Sequence, residues 1–353
     1  MSKKRYISFL ILAILLAWLF DVFIGRSLAA KLSTWPVLNR LHVLSPQAPI
    51  VITNHETVRV ADSGDLTQTS SQIKSKLSTM VWVGGQADIV AGAAVNLTSD
   101  GSFVTGQGAF SRTGGQYYVV LNDGHSAQVS AQAPDPATGL VFFKAGLSGV
   151  AVANTDSSAG LAAGQKLAFS ANSIQNFANK IQEVYVTAAQ GDFAGQNWQA
   201  DYPSRSFAVS AAGALLPGEA AVDENANVVG VWNGSRLISS DVLKTAMNLF
   251  FANGQKIIRP SFGFGYTMIT ANESQLTGQA QGARVVEVDP ASPAKSAGLA
   301  AGDIIVSVGG QAVSEAAPLE PLLEAFAPGQ QAALRVVRKG QDLDLTLIAG
   351  ELK

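Results

Sequence analysis

Three histidines, His42, His55 and His125, are the only imidazoles in this chain of 353 residues. An imidazole moves protons near neutral pH and is a common metal ligand. The three are scattered and the chain has no cysteine, so no metal-ligand spacing occurs, and disulfides and thiol catalysis are excluded. His125 follows the turn Asn122-Asp123-Gly124, which favours a solvated hairpin residue over a catalytic base. We expect neither a metal nor a cofactor.

Charged side chains are scarce, which limits the partners that the chain can recognise. The net charge is -2, only 14% of the residues are charged, and no block rich in lysine and arginine occurs after residue 5. We therefore expect no nucleic-acid partner, because phosphate backbones require a basic surface. The 47% of hydrophobic residues suffices for a sizeable core, and the length allows two or three domains.

The first 25 residues predict a membrane anchor. Three basic residues (3–5) precede an uncharged apolar run from 6 to 20, and only Asp21 interrupts its continuation to residue 25. About 20 apolar residues cross a bilayer. A cleaved signal peptide is the alternative, with small residues at 27–30, but Arg26 and the long apolar run favour a retained anchor. We expect a cytoplasmic tail at 1–5, one transmembrane helix at 6–25 and a tether at 26–70, with the body outside the cytoplasm, in a periplasm or at a cell surface.

Residues 79–234 have the pattern of an all-β region. Short apolar runs such as SFVTG, LVFFKA and VVGVW alternate with turn signals such as Ser99-Asp100-Gly101. Many short strands at this spacing predict a sandwich or a barrel. The region is longer than one six-stranded barrel needs and suits two. The chain is therefore predicted to be mainly β.

Helices are predicted on both sides of this region. The run SSDVLKTAMNLFFANG (239–254) has helical spacing of its apolar residues, with Ser240 as the expected N-cap and Gly254 at the C-terminal end. A short helix is predicted at Ser71–Leu77. We assign residues 71–256 to the β domain and residues 257–353 to a separate C-terminal domain.

The C-terminal domain carries motifs of a known family. The stretches RPSFGFGYTMIT (259–270) and SPAKSAGLAAGDIIVSVGGQAV (292–313) resemble the PDZ domain of HtrA-type proteases, as does the segment from Ala317 to Leu347. Gly309-Gly310 independently predicts a hairpin turn, and Leu319, Leu322, Leu323 and Phe326 give the helix that follows an apolar face. The resemblance implies an α+β fold with a groove for peptides.

In PDZ domains an extended peptide adds a strand to a sheet edge beside a helix, and a short loop captures its terminal carboxylate. The resemblance places that loop at Ser261-Phe262-Gly263-Phe264 and the receiving strand at 264–270, including Tyr266. Leu319 and either Leu322 or Leu323 would line the pocket. The alternative is that these apolar residues are simply core.

A β domain followed by a PDZ domain, behind a membrane anchor, resembles the HtrA architecture. That family's protease domain is trypsin-like, with two six-stranded barrels and a Ser-His-Asp triad between them. Aligned on the family motifs, the histidine position is Gly108, the aspartate position is Gly139 and the nucleophile position is Pro217. A deletion just before Glu219 is the alternative alignment, and it also leaves no serine.

Loss of these groups would remove the chemistry. The serine needs an imidazole to take its proton, and the imidazole needs a carboxylate to fix its tautomer. Proline also lacks the backbone N–H that a nucleophile contributes to the oxyanion hole. Neither Ser210, seven residues before Pro217, nor Asp135, expected to cap a turn, has the family's spacing. The predicted site is thus a triad without catalytic groups.

These observations predict a membrane-anchored, catalytically inactive HtrA-like homologue. Its PDZ domain would bind peptide segments or protein C-termini, as a scaffold or regulator in the quality control of envelope proteins. Because the family forms trimers, the resemblance implies a homotrimer or a hetero-oligomer with active members. The alternative function is a serine endopeptidase with a rearranged active site.

Overall fold

The computed structural model describes residues 66–84, 87–158, 160–172, 179–189, 198–203, 206–210, 213 and 215–353. All of them belong to one compact unit, Ser63–Lys353. The predicted tail, the predicted anchor and the tether as far as residue 65 lie outside the described residues. Among the helices of the described part, none is long and apolar enough to span a membrane.

The first barrel follows a helix, α1 (Leu66–Ile73), and a 3-10 turn at Lys74–Lys76. The helix predicted at Ser71–Leu77 therefore starts and ends earlier, because Leu77 already belongs to a strand and is buried in the core. Six antiparallel strands close the barrel in the order β1-β2-β3-β6-β5-β4. They are β1 (Leu77–Gly84), β2 (Ala87–Asn96), β3 (Ser102–Gly106), β4 (Gln116–Leu121), β5 (Ser126–Asp135) and β6 (Leu140–Ala145).

The second barrel also closes with six strands, in the order β10-β13-β12-β11-β7-β8. Two six-stranded barrels were expected, and the structure confirms them. The strands are β7 (Lys166–Asn172), β8 (Asn179–Ala189), β10 (Ser206–Val209), β11 (Ala220–Val222), β12 (Val228–Trp232) and β13 (Leu237–Ser239).

Strand β12 is buried on both faces, which explains its uninterrupted apolar sequence VVGVW. Val229 and Trp232 pack inside the second barrel. Val228 and Val231 face the other way, into a core shared with the first barrel and with helix α2 (Ser240–Ala252). One strand thereby joins three elements through apolar burial, the dominant stabilising term in folding.

Helix α2 begins one residue earlier than its sequence suggests. The N-cap is Ser239 rather than Ser240, and its hydroxyl accepts a hydrogen bond from the Val242 amide at 3.3 Å. The hydroxyl of Ser240 instead donates to the Asp156 carbonyl. Gly254 lies just past the helix with φ +63°, the left-handed conformation expected there.

The C-terminal domain is a twisted antiparallel sheet with three short helices, α3 (Ala271–Thr277), α4 (Pro293–Ser296) and α5 (Leu319–Glu324). The sheet order is β20-β19-β17-β16-β15-β9, and β18 pairs with β17; a separate two-stranded pair, β14-β21, closes the domain. Its own strands are β14 (Pro260–Ser261), β15 (Phe264–Ile269), β16 (Gly282–Val288), β17 (Ile304–Val308), β18 (Gln311–Ala312), β19 (Gln331–Arg338), β20 (Gln341–Ile348) and β21 (Gly350–Glu351).

The remaining strand of this sheet, β9 (Trp198–Gln199), comes from the barrel domain. It lies in sequence between β8 and β10 of the second barrel, yet it pairs with the edge strand β15 of the C-terminal domain. Two residues of a barrel segment thus complete the edge of a sheet more than 60 positions away.

Candidate functional site

Gly108 and Pro217 are neighbours at the junction of the two barrels. Gly108 lies in a 3-10 turn, Gln107–Phe110, directly after β3. A Cβ atom at Gly108 would lie 3.0 Å from Cγ of Pro217. The alignment of the sequence therefore assigned the histidine and nucleophile positions to two residues that the fold brings into contact.

The backbone around Pro217 is held tightly. Its carbonyl accepts a hydrogen bond from the Ala93 amide at 2.8 Å. The following residue, Gly218, has φ +86°, and a Cβ there would lie 1.8 Å from the Ala93 carbonyl oxygen. Only glycine fits such a position. Its amide donates to the Trp232 carbonyl at 2.7 Å, and the amide of Glu219 donates to the Leu216 carbonyl at 3.1 Å.

Gly139, the third aligned position, lies beside the same turn. Its carbonyl accepts a hydrogen bond from the Gln107 amide at 2.8 Å. A Cβ at Gly139, where φ is +66°, would lie 3.2 Å from Nδ2 of Asn233, which itself donates to the Thr138 carbonyl at 2.8 Å. The three aligned positions therefore lie in one region. Backbone hydrogen bonds and the side-chain amide of Asn233 connect the segments around them.

Two other candidate proton-transfer groups, His125 and Ser210, have partners of their own. His125, the one histidine in the part of the chain that the structure describes, has a side chain that is 78% exposed, with Nδ1 3.1 Å from Oδ1 of Asp123. The hydroxyl of Ser210 accepts a hydrogen bond from the Tyr185 amide at 2.9 Å. Across the described ranges, no group of three or more histidines and carboxylates could hold a metal ion.

Asp135 has a second role beside the turn that it caps. Its carboxylate accepts hydrogen bonds from the Ala137 amide at 3.2 Å and from the Thr138 hydroxyl at 2.7 Å. It also forms a buried two-point ion pair with Arg259, at the start of the C-terminal domain, and Arg259 reaches Glu324 of helix α5 at 3.1 Å. The sequence indicated the turn but not this link between domains.

The electrostatics of this link follow from burial. Burial by itself would lower the pKa of Arg259, but the hydrogen bonds and charges of Asp135 and Glu324 outweigh it and raise that pKa. Burial also raises the pKa of Glu324, and the opposite charge of Arg259 offsets only part of this effect. The guanidinium is thus charged, because arginine keeps its proton in proteins, and Glu324 is a carboxyl of this link whose pKa is raised.

The loop Ser261–Phe264 of the C-terminal domain binds a carboxylate. The amide of Phe262 donates to Oδ1 of Asp201 at 2.5 Å, and the amide of Gly263 lies 3.1 and 3.2 Å from its two oxygens. The hydroxyl of Ser261 donates to Oδ2 at 3.0 Å. Gly263 has φ +71°, and a Cβ there would lie 2.3 Å from Cβ of Ser292, so the loop requires glycine.

An extended segment occupies the groove beside this loop. Strand β9 pairs antiparallel with β15, with Trp198 opposite Tyr266 and Gln199 opposite Gly265. The amide of Ala200 donates to the Phe264 carbonyl at 3.0 Å. The edge of the sheet that was predicted to receive a peptide is therefore paired.

The structure brings together all the residues that were predicted to bind peptides. The six apolar ones share one cluster around the loop and helix α5, in which all but Leu322 are almost fully buried, whereas Ser261 in the loop is half-buried. Burial raises the pKa of the Tyr266 phenol, whose ring lies in this core while its backbone faces β9. These six apolar residues are Phe262, Phe264, Tyr266, Leu319, Leu322 and Leu323.

Trp198–Asp201, the residues in the groove, could not be found from the sequence. Four residues without a repeated pattern cannot be assigned to a strand from periodicity, which needs a longer window. A single aspartate after an alanine is also unremarkable in a loop. The contacts that define this segment lie in another domain.

Comparisons with known proteins agree with this architecture. Residues 260–348 match the PDZ domain family. Two curated relatives carry the name "Probable periplasmic serine endoprotease DegP-like". The one from Hahella chejuensis is 40% identical over 72 residues, which is 20% of this chain and 15% of the relative. The one from Halomonas elongata is 37% identical over 71 residues, with the same shares of the two chains.

Solved structures extend the likeness to both barrels. The HtrA-type protease AlgW with tripeptide has a TM-score of 0.60 at 21% identity, over 81% of this chain and 97% of that chain. Its structure with decapeptide has a TM-score of 0.59 at 18% identity, over 81% and 98%. The serine endoprotease from Yersinia pestis has a TM-score of 0.52 at 17% identity, over 81% and 98%.

The chain therefore has two trypsin-like six-stranded barrels followed by a PDZ domain, in the arrangement of HtrA-type proteases. The sequence match to the curated relatives spans only 15% of their length. A fold hosts many functions, so activity has to be argued from the site.

Proposed function

We propose that this chain is an HtrA-like protease homologue without peptidase activity, and that its PDZ domain binds protein C-termini or extended peptide segments. One observation supports the binding function most directly: backbone amides of Phe262 and Gly263 both donate to a carboxylate, next to an extended segment paired with β15. A loop and a sheet edge with these partners can capture a chain terminus.

The absence of peptidase activity rests on the types of the residues at the barrel junction. Gly108 and Gly139 have no side chain to accept or relay a proton, and Pro217 has no hydroxyl. Proline also has no N–H, and the amides of Gly218 and Glu219 are already engaged by carbonyls. An acyl transfer would lack its nucleophile, its base and the donors for an oxyanion.

The proposed cellular role is the one that the family resemblance implies. A membrane anchor at 6–25 would hold the two barrels and the PDZ domain outside the cytoplasm, where the chain would act as a scaffold or regulator of envelope protein quality control. Assembly as a homotrimer, or with active family members, would bring the PDZ groove close to a working protease.

The binding function is tested by titrating a fluorescent hydrophobic peptide with a free C-terminus into the full-length protein in detergent, using the C-terminal amide of the same peptide as the control. We expect the acid to bind and the amide to bind much more weakly. Leu322→Asn, at a partly buried position of α5 that packs against the cluster, should weaken binding, whereas Leu276→Asn, at an 88% exposed position of α3, should not. Equal binding of acid and amide would contradict the assignment of the loop.

The second candidate function is a serine endopeptidase with a rearranged site, favoured by the names of the curated relatives and by the shared fold. Casein cleavage and labelling with a fluorophosphonate probe separate the two functions. We expect the wild type and Ser210→Ala to give the same background signal in both assays. A robust signal in the wild type that Ser210→Ala abolishes would establish the enzyme and overturn the proposed inactivity.

A further inference from the structure

The chain leaves the groove immediately after Ala200. The Tyr202 amide donates to the Gln199 carbonyl at 3.2 Å, which closes a turn over Ala200 and Asp201. Asp201 is at the corner of this turn. Its side-chain carboxylate therefore points to the amides of Phe262 and Gly263, where a terminal carboxylate of a peptide ending at that point would lie.

Side chains of the segment alternate as in a bound β-strand. Ala200 is only 4% exposed and packs in the same cluster as Phe262, Leu319 and Leu323. Trp198, two residues earlier, packs against that cluster as well. Gln199, between them, faces away and its Nε2 donates to Oε1 of Glu287 at 2.6 Å. Period-two alternation puts alternate side chains on one face of the strand.

We propose that Trp198–Asp201 is a built-in ligand of the PDZ groove and that it identifies the class of external ligand. That class is an extended chain with a free terminal carboxylate, a small apolar last residue and an aromatic residue two positions before it. Such a chain binds by displacing Trp198–Asp201. The proposal rests on the proposed peptide-binding function and adds to it the ligand class and the competitor.

The preference for a small last residue follows from the packing around Ala200. Phe262, Leu319 and Leu323 are each at most 1% exposed, and the residue packed with them in the groove is an alanine. A bulky last residue would require these side chains to move. Overpacking of a filled core costs about 1–3 kcal/mol, which corresponds to about 5- to 150-fold in affinity.

Competition follows from the covalent connection. A segment on a short connection has an effective concentration in the millimolar range, so it keeps its groove occupied when its own Kd is below that concentration. An external peptide then binds with its intrinsic affinity reduced by the fraction of open groove. Weakening the internal segment should therefore tighten the binding of external peptides, the reverse of what loss of a binding residue does.

The experiment measures Kd by fluorescence anisotropy on the full-length protein, with labelled peptides ending in Trp-Gln-Ala as acid and as amide, and in Trp-Gln-Phe as acid. Asp201→Ala removes the internal carboxylate. Ala200→Arg replaces the buried alanine with a charged side chain that the apolar pocket cannot accommodate. Asp123→Ala, at an exposed hairpin of the first barrel, is the matched control. Thermal unfolding checks that each variant is folded.

We expect Asp201→Ala and Ala200→Arg each to tighten binding of the Trp-Gln-Ala acid about tenfold or more, because charge-assisted hydrogen bonds or apolar packing of the competitor are lost. Asp123→Ala should match the wild type. The Trp-Gln-Phe acid should bind at least about fivefold more weakly. If the wild type and all folded variants bind the Trp-Gln-Ala acid with the same Kd, the proposal of a built-in ligand is wrong, although peptide binding itself is established. If the Trp-Gln-Phe acid binds more tightly than the Trp-Gln-Ala acid, the proposed ligand class is wrong. If no protein binds any peptide, the proposed function itself fails.

Discussion

Arg259 and Asp135 form a buried two-point ion pair, with Nε to Oδ1 at 2.7 Å and Nη2 to Oδ2 at 2.8 Å. Asp135 ends strand β5 of the first barrel, and Arg259 opens the PDZ domain. Their side chains are at most 3% exposed. This pair connects the barrel domain to the PDZ domain with good geometry, because two parallel N–H donors match the two carboxylate oxygens.

Removing the guanidinium should be costly. Arg259→Ala leaves the buried charge of Asp135 without its partner, and we expect a loss of about 3–5 kcal/mol in the free energy of unfolding. The matched control is Arg335→Ala, which breaks an exposed pair with Asp344 on the PDZ sheet and should cost about 1 kcal/mol or less. Urea unfolding of the three proteins measures both effects, and equal costs would contradict the buried character of the Arg259 pair.

Glu324 should make stability depend on pH in a defined direction. Burial raises its folded-state pKa above its ordinary value of 4.5, so the folded protein holds this proton more tightly than the unfolded chain does. Its contribution is thus fully present below pH 4.5 and is lost as the pH rises through the higher folded-state pKa. Urea unfolding between about pH 4 and 8 measures the free energy of unfolding of the wild type and of Glu324→Gln. The wild-type value minus the Glu324→Gln value should decline with rising pH. A difference that grows with pH would show that the charge of Arg259 dominates instead.

Gly218 should tolerate no side chain, for a reason beyond its backbone angle. Gly218→Ala places a Cβ against the backbone oxygen of Ala93, whereas Gly164 has nearly the same φ, +87°, and open space around it. The left-handed angle alone costs about 1–2 kcal/mol in Gly164→Ala. We expect Gly218→Ala to cost at least about 2 kcal/mol more, because the backbone of β2 must move. Similar melting temperatures for the two variants would contradict the close approach of Gly218 to the backbone oxygen of Ala93.

The sequence predicted the two barrels because most strands are compact apolar runs between glycine-rich turns. Strand β5 is no such run, because SAQVSAQAPD is mostly exposed and Val129 is its one large aliphatic residue. The N-cap of α2 was misassigned by one residue. Both candidates are serines, and only the bond of Ser240 to the Asp156 carbonyl, a contact 84 positions away, decides between them.

The loop of the PDZ groove was predictable because glycine at 263 and its apolar neighbours form a local motif. The occupant was not, because Trp198–Asp201 acquires its structure only by pairing with β15. The adjacency of Gly108 and Pro217 was predicted only through family motifs, since 109 positions separate them and neither has a side chain with a chemical signature.

The occupied groove can be locked, because the chain has no cysteine of its own. Gln199 and Gly265 are directly opposed in the β9–β15 pair, next to the bond between Ala200 and Phe264. Antiparallel neighbours of this kind lie within disulfide reach. In Gln199→Cys/Gly265→Cys the disulfide would hold the chain's own segment in the groove, with each single variant as a control.

Peptide binding by this double variant, before and after reduction, tests most directly that the PDZ groove is a carboxylate-binding site occupied by its own chain. We predict that the oxidised protein does not bind a fluorescent Trp-Gln-Ala acid and that dithiothreitol restores binding to the level of the single variants. Unimpaired binding by the fully oxidised protein would contradict the account.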